Sequence, residues 1–306
     1  CDNFAMHNLP RLPCYLNGEY TALQDAKISV LDRGFIFGDG IYEVVPVYKG
    51  RPFRMQHHLS RMRRSLTETR IKNPLSDDEW QATIDHVIGE YAAQQGQAVD
   101  ASDQMVYIQI TRGVALRDHV MPEDITPTVF VMTNAMKMPT PAQRAQGVAC
   151  VTADDFRWER AHIKSTSLLG AVFARQISYD ADALETVMFR GDLLSEAAAS
   201  NVWVVKDGVV MGPRKDNRVL EGIRYDLIAE ICAAQNIGYK LKDISRADVM
   251  NADELVLSSA TKEVLPITQL DGKPVGDGQP GPIYTALYAG YQTAKAAGDV
   301  TDPITA

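Results

Sequence analysis

Three groups of residues in this sequence have the types to act together chemically. The first is Lys164, in the stretch FRWERAHIKSTSLLGAVFARQ that spans 156–176. The second is a carboxylate, Glu196, on the approach to a strand-like run, and the third is Gly222-Ile223-Arg224, at the start of a helix-like run. A lysine that is neutral near pH 7 attacks carbonyls to form a Schiff base and carries protons. A helix N-terminus offers free N–H groups to an anion.

The elements that must position these groups can be read from spacing. Leu168, Leu169, Val172 and Phe173 recur at helical intervals, which predicts a packed helix beginning near Ser167. Ser165, Thr166 and Ser167 are natural N-cap residues for it. Lys164 would then sit just before the helix, near the positive end of its dipole, where the ammonium form is disfavoured and partial burial lowers the pKa further. Taken alone, such a stretch more often holds a solvated structural lysine than a catalytic one.

Toward the N-terminus, CYLNGEYTAL places Asn17-Gly18 between short β-prone runs and predicts a hairpin. In ISVLDRGFIFGDGIYEVVPVY, Gly34, Gly38 and Gly40 predict tight turns, and a strand follows from Ile41 to Tyr48. Tyr42, Val44 and Pro46 should face one side of it, with Glu43, Val45 and Val47 on the other. A helix is expected over 59–71 with Leu59, Met62 and Leu66 inward and Arg61 mostly off the stripe. Ser76-Asp77-Asp78-Glu79 is a capping box for a second helix, with Trp80, Ile84, Val87, Ile88 and Tyr91 inward. Strands over 105–111 and 128–133 flank a loop bearing Arg112, Arg117, Asp118 and His119, which on its own reads as a solvated charge cluster.

The stretch 136–147, with two prolines and no apolar period, predicts a linker between domains 1–135 and 148–306. Beyond it, strands are expected over 148–151, 185–189, 201–205 and 254–258, a hairpin at Asp207-Gly208, and helices over 223–235 and 282–295.

Composition narrows the function. The 306 residues carry a net charge of −8 without extended basic runs, which argues against nucleic acid and anionic membranes as partners. The 4 cysteines share no CxxC spacing and read as reduced thiols of a cytoplasmic protein. The 6 histidines lack metal-ligand spacing, so no metal site is expected. No serine-hydrolase elbow, HExxH pair, Walker loop or EF-hand loop is present. Residues 276–281 match GxGxxG literally, but too little chain follows for a βαβ unit, and a surface loop is expected.

Lysine, carboxylate and helix N-terminus are the parts that pyridoxal 5'-phosphate chemistry requires: an amine, an acid beside the pyridine nitrogen and an anion cradle. Seven segments strengthen that reading: DRGFIFGDGIYEVV, HLSRM, YIQITRG with LRDHVMPE, RWERAHIKSTSLLGAVFARQ, EAAASNV, LEGIRYDL and DELVLSSATKEVLPI. In this order the sequence resembles the class IV (fold type IV) pyridoxal-phosphate aminotransferases, and among them the D-amino acid aminotransferases.

The resemblance implies an α+β architecture, with an N-terminal α/β domain and a β-barrel-like C-terminal domain with helices. It implies that Lys164 forms the Schiff base and shuttles the substrate proton, and that Glu196 pairs with the ring nitrogen. Arg61 would hold the phosphate with Ile223, Arg224 and the turn at Ala260, while Leu220 packs on the ring. Tyr42, Arg117 and His119 would bind the substrate carboxylate, the last two from the neighbouring subunit of a homodimer. The reaction implied is amino transfer between D-amino acids and 2-oxo acids such as pyruvate and 2-oxoglutarate. An (R)-selective amine transaminase, an L-branched-chain transaminase and a 4-amino-4-deoxychorismate lyase are alternatives on the same fold. The sequence departs from the D-amino acid pattern at Ala197–Ala199, Arg224 and Ala260, where glycine or hydroxyl residues are usual.

Overall fold

A computed structural model describes residues 11–298. Cys1 and His7 lie outside the described residues. Two compact units emerge: one runs to Met136 and regains Ile163–Ser167, and the other takes Lys137–His162 and the chain from Leu168 onward.

The first unit is built on an antiparallel sheet. Its strands are β1 (Pro13–Leu16) and β2 (Glu19–Ala22), followed after helix α1 (Arg33–Phe37) by β3 (Gly40–Tyr48) and β4 (Arg51–Pro52). Helices α2 (Met55–Glu68) and α3 (Asp77–Gln94) come next, then β5 (Gln104–Thr111) and β6 (Thr128–Ala135). The order in the sheet is β2-β1-β6-β5-β3-β4. Asn17 and Gly18 close the β1–β2 hairpin with positive φ at both positions, as a two-residue primed turn requires. The α3 capping box forms as expected, with Ser76 and Glu79 exchanging bonds. The core lies between sheet and helices: Leu59, Met62 and Leu66 of α2 and Trp80, Ile84 and Ile88 of α3 pack with Val45, Val106 and Ile108. Each such side chain contributes about 1.5–3 kcal/mol by leaving water. The short helix α1 stands where only turns are expected; Asp32 caps its start and Gly38, in the left-handed region, ends it.

The second unit begins with α4 (Pro141–Gln146), capped by Thr140, inside the stretch expected to be linker. Then come β7 (Val148–Asp154), α5 (Leu169–Asp180), β8 (Glu185–Arg190), β9 (Leu193–Ala197), β10 (Asn201–Lys206) and β11 (Val209–Gly212). They are followed by α6 (Arg224–Ala234), β12 (Gly238–Leu241), α7 (Arg246–Met250), β13 (Glu254–Ser259), β14 (Glu263–Leu270), β15 (Lys273–Pro274) and α8 (Pro282–Ala297). The sheet order is β12-β11-β10-β13-β14-β7-β8-β9, with β15 beside β14. Five strand-to-strand steps separate β10 from β9, roughly 24 Å in a flat sheet. Yet Ala197 and Asn201 are joined by only three intervening residues, which reach at most about 14 Å. The sheet must therefore curl back on itself, which gives the unit its barrel-like character within an α+β fold.

Two local expectations fail. Helix α5 starts at Leu169, and the hydroxyls before it do not cap it: Thr166 Oγ1 and Ser167 Oγ each donate to Gly38 O at 2.9 Å. The apolar stripe of α5 is also not packed: Leu169, Val172 and Phe173 are 69%, 60% and 58% exposed. The helix instead packs through Ala174 and Ser178, whose small side chains admit β8, and Thr186 Oγ1 donates to Ala174 O at 2.6 Å. Periodicity finds an apolar face; it cannot say whether the same chain covers it.

Candidate active site

Lys164 is held by backbone pairing with β3. Tyr42 N donates to Lys164 O at 2.9 Å, a bridge joins Ile41 to Ser165, and Ser65 Oγ accepts from Lys164 N at 3.4 Å. The amine lies 4.0 Å from the centre of the Tyr42 ring. Tyr107, whose ring centre is 6.0 Å from that of Tyr42, donates its hydroxyl to Gln109 at 2.8 Å. Burial, together with Tyr42, pushes the Tyr107 phenol up to about 12. A lysine over one phenol ring, beside a second that stays protonated, is a site where an amine keeps a fixed position in a partly apolar setting.

The alternation along β3 turns Glu43 to the opposite face, toward α2. There Arg61, expected off the apolar stripe, is buried and forks onto Glu43 through Nε and the second terminal nitrogen, each at 2.7 Å. His58 Nδ1 donates to the same carboxylate at 2.9 Å. Burial works against ionisation of Glu43, but Arg61 and His58 override it and hold the carboxyl far below the usual range. The fork fixes the plane of the Arg61 guanidinium.

Arg117 and His119 do not join Tyr42 and Lys164; among the described residues no hydrogen bond, ion pair or ring contact links them. They meet instead at Phe37: the Arg117 guanidinium lies 5.3 Å from that ring's centre and the His119 ring 5.4 Å.

In the second unit, Glu196 on β9 is buried and surrounded by donors. Arg157 reaches Oε1 at 2.6 Å, and Asn201 Nδ2 and Leu220 N each reach Oε2 at 3.1 Å. Burial pushes this carboxyl above its ordinary value, and Arg157 and the Leu220 N–H offset only part of that rise. All three partners serve the ionised form. Arg157 also forks onto buried Asp155 at 2.9 Å through Nε and at 2.9 Å through a terminal nitrogen. Asn201 Nδ2 bonds Leu220 O at 3.0 Å, tying Glu196 to the segment that enters α6.

That entry is shaped for an anion. Ile223 is the N-cap of α6 and no side chain caps the helix. A Cβ at Gly222 would lie 2.1 Å from Asn201 Oδ1, so only glycine lets the backbone approach so closely there. Arg224, buried at the first helical position, donates to Ala260 O at 3.3 Å and lies 5.6 Å from the Tyr291 ring centre. By contrast, the literal GxGxxG at 276–281 ends at Gly281, the N-cap of α8, and the first amides of that helix serve an internal anion: Glu254 accepts from Ile283 N at 2.9 Å and Tyr284 N at 2.8 Å.

Sequence reasoning missed Arg157, Asn201 and Glu43. A signal existed for Arg157, since a buried carboxylate that must stay ionised needs a cation, and Arg157 stands in the same motif as Lys164.

The sequence profile of the family described as "Amino-transferase class IV" matches residues 40–270, which contain every candidate residue above. The chain belongs to the class IV aminotransferases. This aminotransferase is 35% identical over 289 residues to a D-alanine aminotransferase of Listeria monocytogenes, covering 93% of this chain and 97% of that protein. It is 36% identical over 279 residues to a D-alanine aminotransferase of Staphylococcus epidermidis, covering 91% and 96%. Among solved structures, the branched-chain amino acid aminotransferase of Escherichia coli superposes with a TM-score of 0.83 at 21% identity, covering 96% and 98%. A branched-chain amino acid aminotransferase from Thermoproteus uzoniensis, with norvaline, gives 0.79 at 20% identity over 93% and 95%. At that identity the class IV structures share the fold.

Proposed function

We propose that this aminotransferase uses pyridoxal 5'-phosphate to move an amino group between D-amino acids and 2-oxo acids such as pyruvate and 2-oxoglutarate. The observation that carries the cofactor reading is Glu196, a buried carboxylate that accepts hydrogen bonds from Arg157, Asn201 and the Leu220 amide. Such a group suits a protonated ring nitrogen. The uncapped α6 N-terminus, the close backbone at Gly222 and the buried Arg224 suit a phosphate. The chain's residues therefore fit the group. When bound, the cofactor supplies an aldehyde that reacts with amines and an electron-withdrawing ring that stabilises charge on the adjacent carbon.

The protein's own parts then divide the work. Lys164 provides the amine, and its Nζ would take the proton from the donor's Cα and, in the second half of the cycle, give one to the Cα of the amino acid formed from the 2-oxo acid. Glu196 would be the acid that pairs with the ring nitrogen. Arg61, with Ile223 and Arg224, binds phosphate near the turn at Ala260, and Leu220 packs beside the ring. Tyr42, Arg117 and His119 receive the substrate carboxylate, a guanidinium fork being suited to it.

We also propose a cytoplasmic homodimer in which a second copy supplies Arg117 and His119. The exposed apolar rows, Leu169, Val172 and Phe173 in one unit and Val30, Phe35 and Leu116 in the other, support a partner that covers them. Among the described residues, no helix is long and apolar enough to cross a membrane. The preference for D-amino acids is supported by the relatives' activity and by the Arg117-x-His119 pair. The test is a panel of D- and L-amino acids and (R)-amines with pyruvate and 2-oxoglutarate. Turnover of D-alanine at least tenfold above L-alanine and L-leucine is expected; the reverse order would remove the D-specific assignment.

A further inference from the structure

The loop that carries Arg117 and His119 is exposed, yet its tip is not left to wander. Arg33, buried at the start of α1, donates from Nε to Asp39 Oδ2 at 2.8 Å and from a terminal nitrogen to Asp118 O at 2.6 Å. Asp118 is the residue between Arg117 and His119. Asp39 is itself clamped by Arg112, at 2.8 and 3.0 Å, and Arg112 donates onward to Thr69 O and Arg70 O at 2.7 and 3.0 Å. Helix α1 is pinned at both ends. Asp32 accepts from Gly34 N and Thr128 Oγ1 at 2.8 and 2.6 Å, and Gly38 O accepts from Thr166 and Ser167. A Cβ on Gly34 would lie 2.2 Å from Thr111 Cγ2, so α1 sits directly against β5.

On this fixed base stands the Phe37 ring. The Arg33 guanidinium lies 4.8 Å from its centre, and Arg117 and His119 approach it at 5.3 and 5.4 Å. Both cationic contacts are of the kind that aromatic rings favour. Among the described residues Arg117 has no carboxylate partner, and the Asp118 carboxylate accepts from Val120 N at 3.1 Å instead. An arginine without an acid, in a chain of net charge −8, is left for an external one.

We infer that Arg33 and Phe37 are positioning residues: Arg33 fixes the Asp118 carbonyl, Phe37 seats the two flanking side chains, and together they pre-set the clamp for the substrate carboxylate. The inference rests on the reading of Arg117 and His119 as carboxylate binders. A long arginine side chain loses rotamer freedom when it binds, and a bracket that has already removed that freedom strengthens ground-state capture without touching the reacting atoms.

The test uses the holoenzyme with D-alanine and 2-oxoglutarate, comparing Phe37→Leu, Phe37→Tyr and Arg117→Ala. Phe37 is only partly buried, so leucine is tolerated. Phe37→Leu should raise the KM for D-alanine at least fivefold with kcat within twofold, and Phe37→Tyr should restore both. The ring-proton resonances of His119, assigned by their loss in His119→Gln, should shift in Phe37→Leu as the ring current disappears. If Arg117→Ala raises KM while Phe37→Leu changes neither KM nor the His119 resonances, the bracket is overturned and the carboxylate reading stands. If Arg117→Ala itself leaves KM unchanged, the carboxylate reading fails and takes the bracket with it.

Discussion

Arg157 donates to Glu196 Oε1 at 2.6 Å while forking onto Asp155, so one guanidinium is shared between two buried carboxylates. Burial works against the arginine's charge, but hydrogen bonds to Asp155 and the charge of Glu196 outweigh it and raise the pKa above its ordinary value. Arg157 therefore keeps its charge, and the three donors fix the position of the Glu196 carboxylate, whose own pKa burial raises. Glu196→Gln should keep the fold and bind pyridoxal phosphate but slow exchange of the D-alanine Cα proton with D2O by about 10²–10⁴-fold, the range typical of a lost acid–base contribution. An exchange rate equal to wild type would show that the ring nitrogen is held by some other group.

Arg117→Ala should raise the KM for D-amino acids far more than for amines lacking a carboxylate. Loss of a charge-assisted contact of about 1.5–3 kcal/mol corresponds to roughly 10–150-fold. Equal losses for both substrate classes would place Arg117 outside the pocket. If a second copy supplies the loop, mixing Lys164→Ala and Arg117→Ala chains should recover activity in heterodimers; heterodimers that form and stay inactive would argue for a site within one chain.

Arg224 is one of the positions at which the sequence departs from the D-amino acid aminotransferase pattern that it resembles. It is 2% exposed, so the side chain does not turn to solvent. Three roles are then distinguished by experiment: internal pairing within the protein, a phosphate contact that compensates for the missing hydroxyls, or a contact with a second substrate carboxylate. We expect the phosphate contact. One or two charge-assisted bonds at the α6 N-terminus imply that Arg224→Ala speeds cofactor dissociation about 10–100-fold with unchanged substrate preference. Selective loss of D-glutamate and 2-oxoglutarate turnover would assign the substrate carboxylate, and no effect on either would leave internal pairing.

Glu43 gives a stability prediction with a sign. Burial raises its folded-state pKa, but Arg61 and His58 outweigh that effect and the net shift is downward. The stabilisation is then fully present above the unfolded carboxyl value of about 4.3 and is lost as pH falls toward the folded value. Glu43→Gln breaks a buried pair and should destabilise the protein by roughly 3–5 kcal/mol at neutral pH. The gap in Tm between variant and wild type should narrow as pH is lowered below about 4. A gap that stays constant with pH would mean that the pairing is not what stabilises.

What the sequence made legible follows physical range. The Asn17-Gly18 turn, the Ser76 capping box and the inward faces of α2 and α3 depend on neighbours a few residues away, and each could be read directly. The burial of Arg61 could not, because it depends on Glu43, 18 residues earlier and on a different element. Helix α5 has the right period and the wrong neighbour: its apolar stripe is exposed in this chain, and its buried face is made by Ala174 and Ser178. Motif order singled out Lys164 and Glu196 as candidates, but Arg157 became visible only once β9 was in place beside its loop. The short helix α1 leaves no signature, because five residues between turns carry no period.

The central claim is that Lys164 is the amine that reacts with pyridoxal phosphate. The direct test is to incubate the purified protein with the cofactor, reduce it with borohydride, digest it and locate the label by mass spectrometry. A phosphopyridoxyl group is expected on the peptide containing Lys164, with no label in Lys164→Ala and transamination in that variant at least about 10³-fold below wild type. Label on a different lysine, or turnover by Lys164→Ala within about tenfold of wild type, would contradict it.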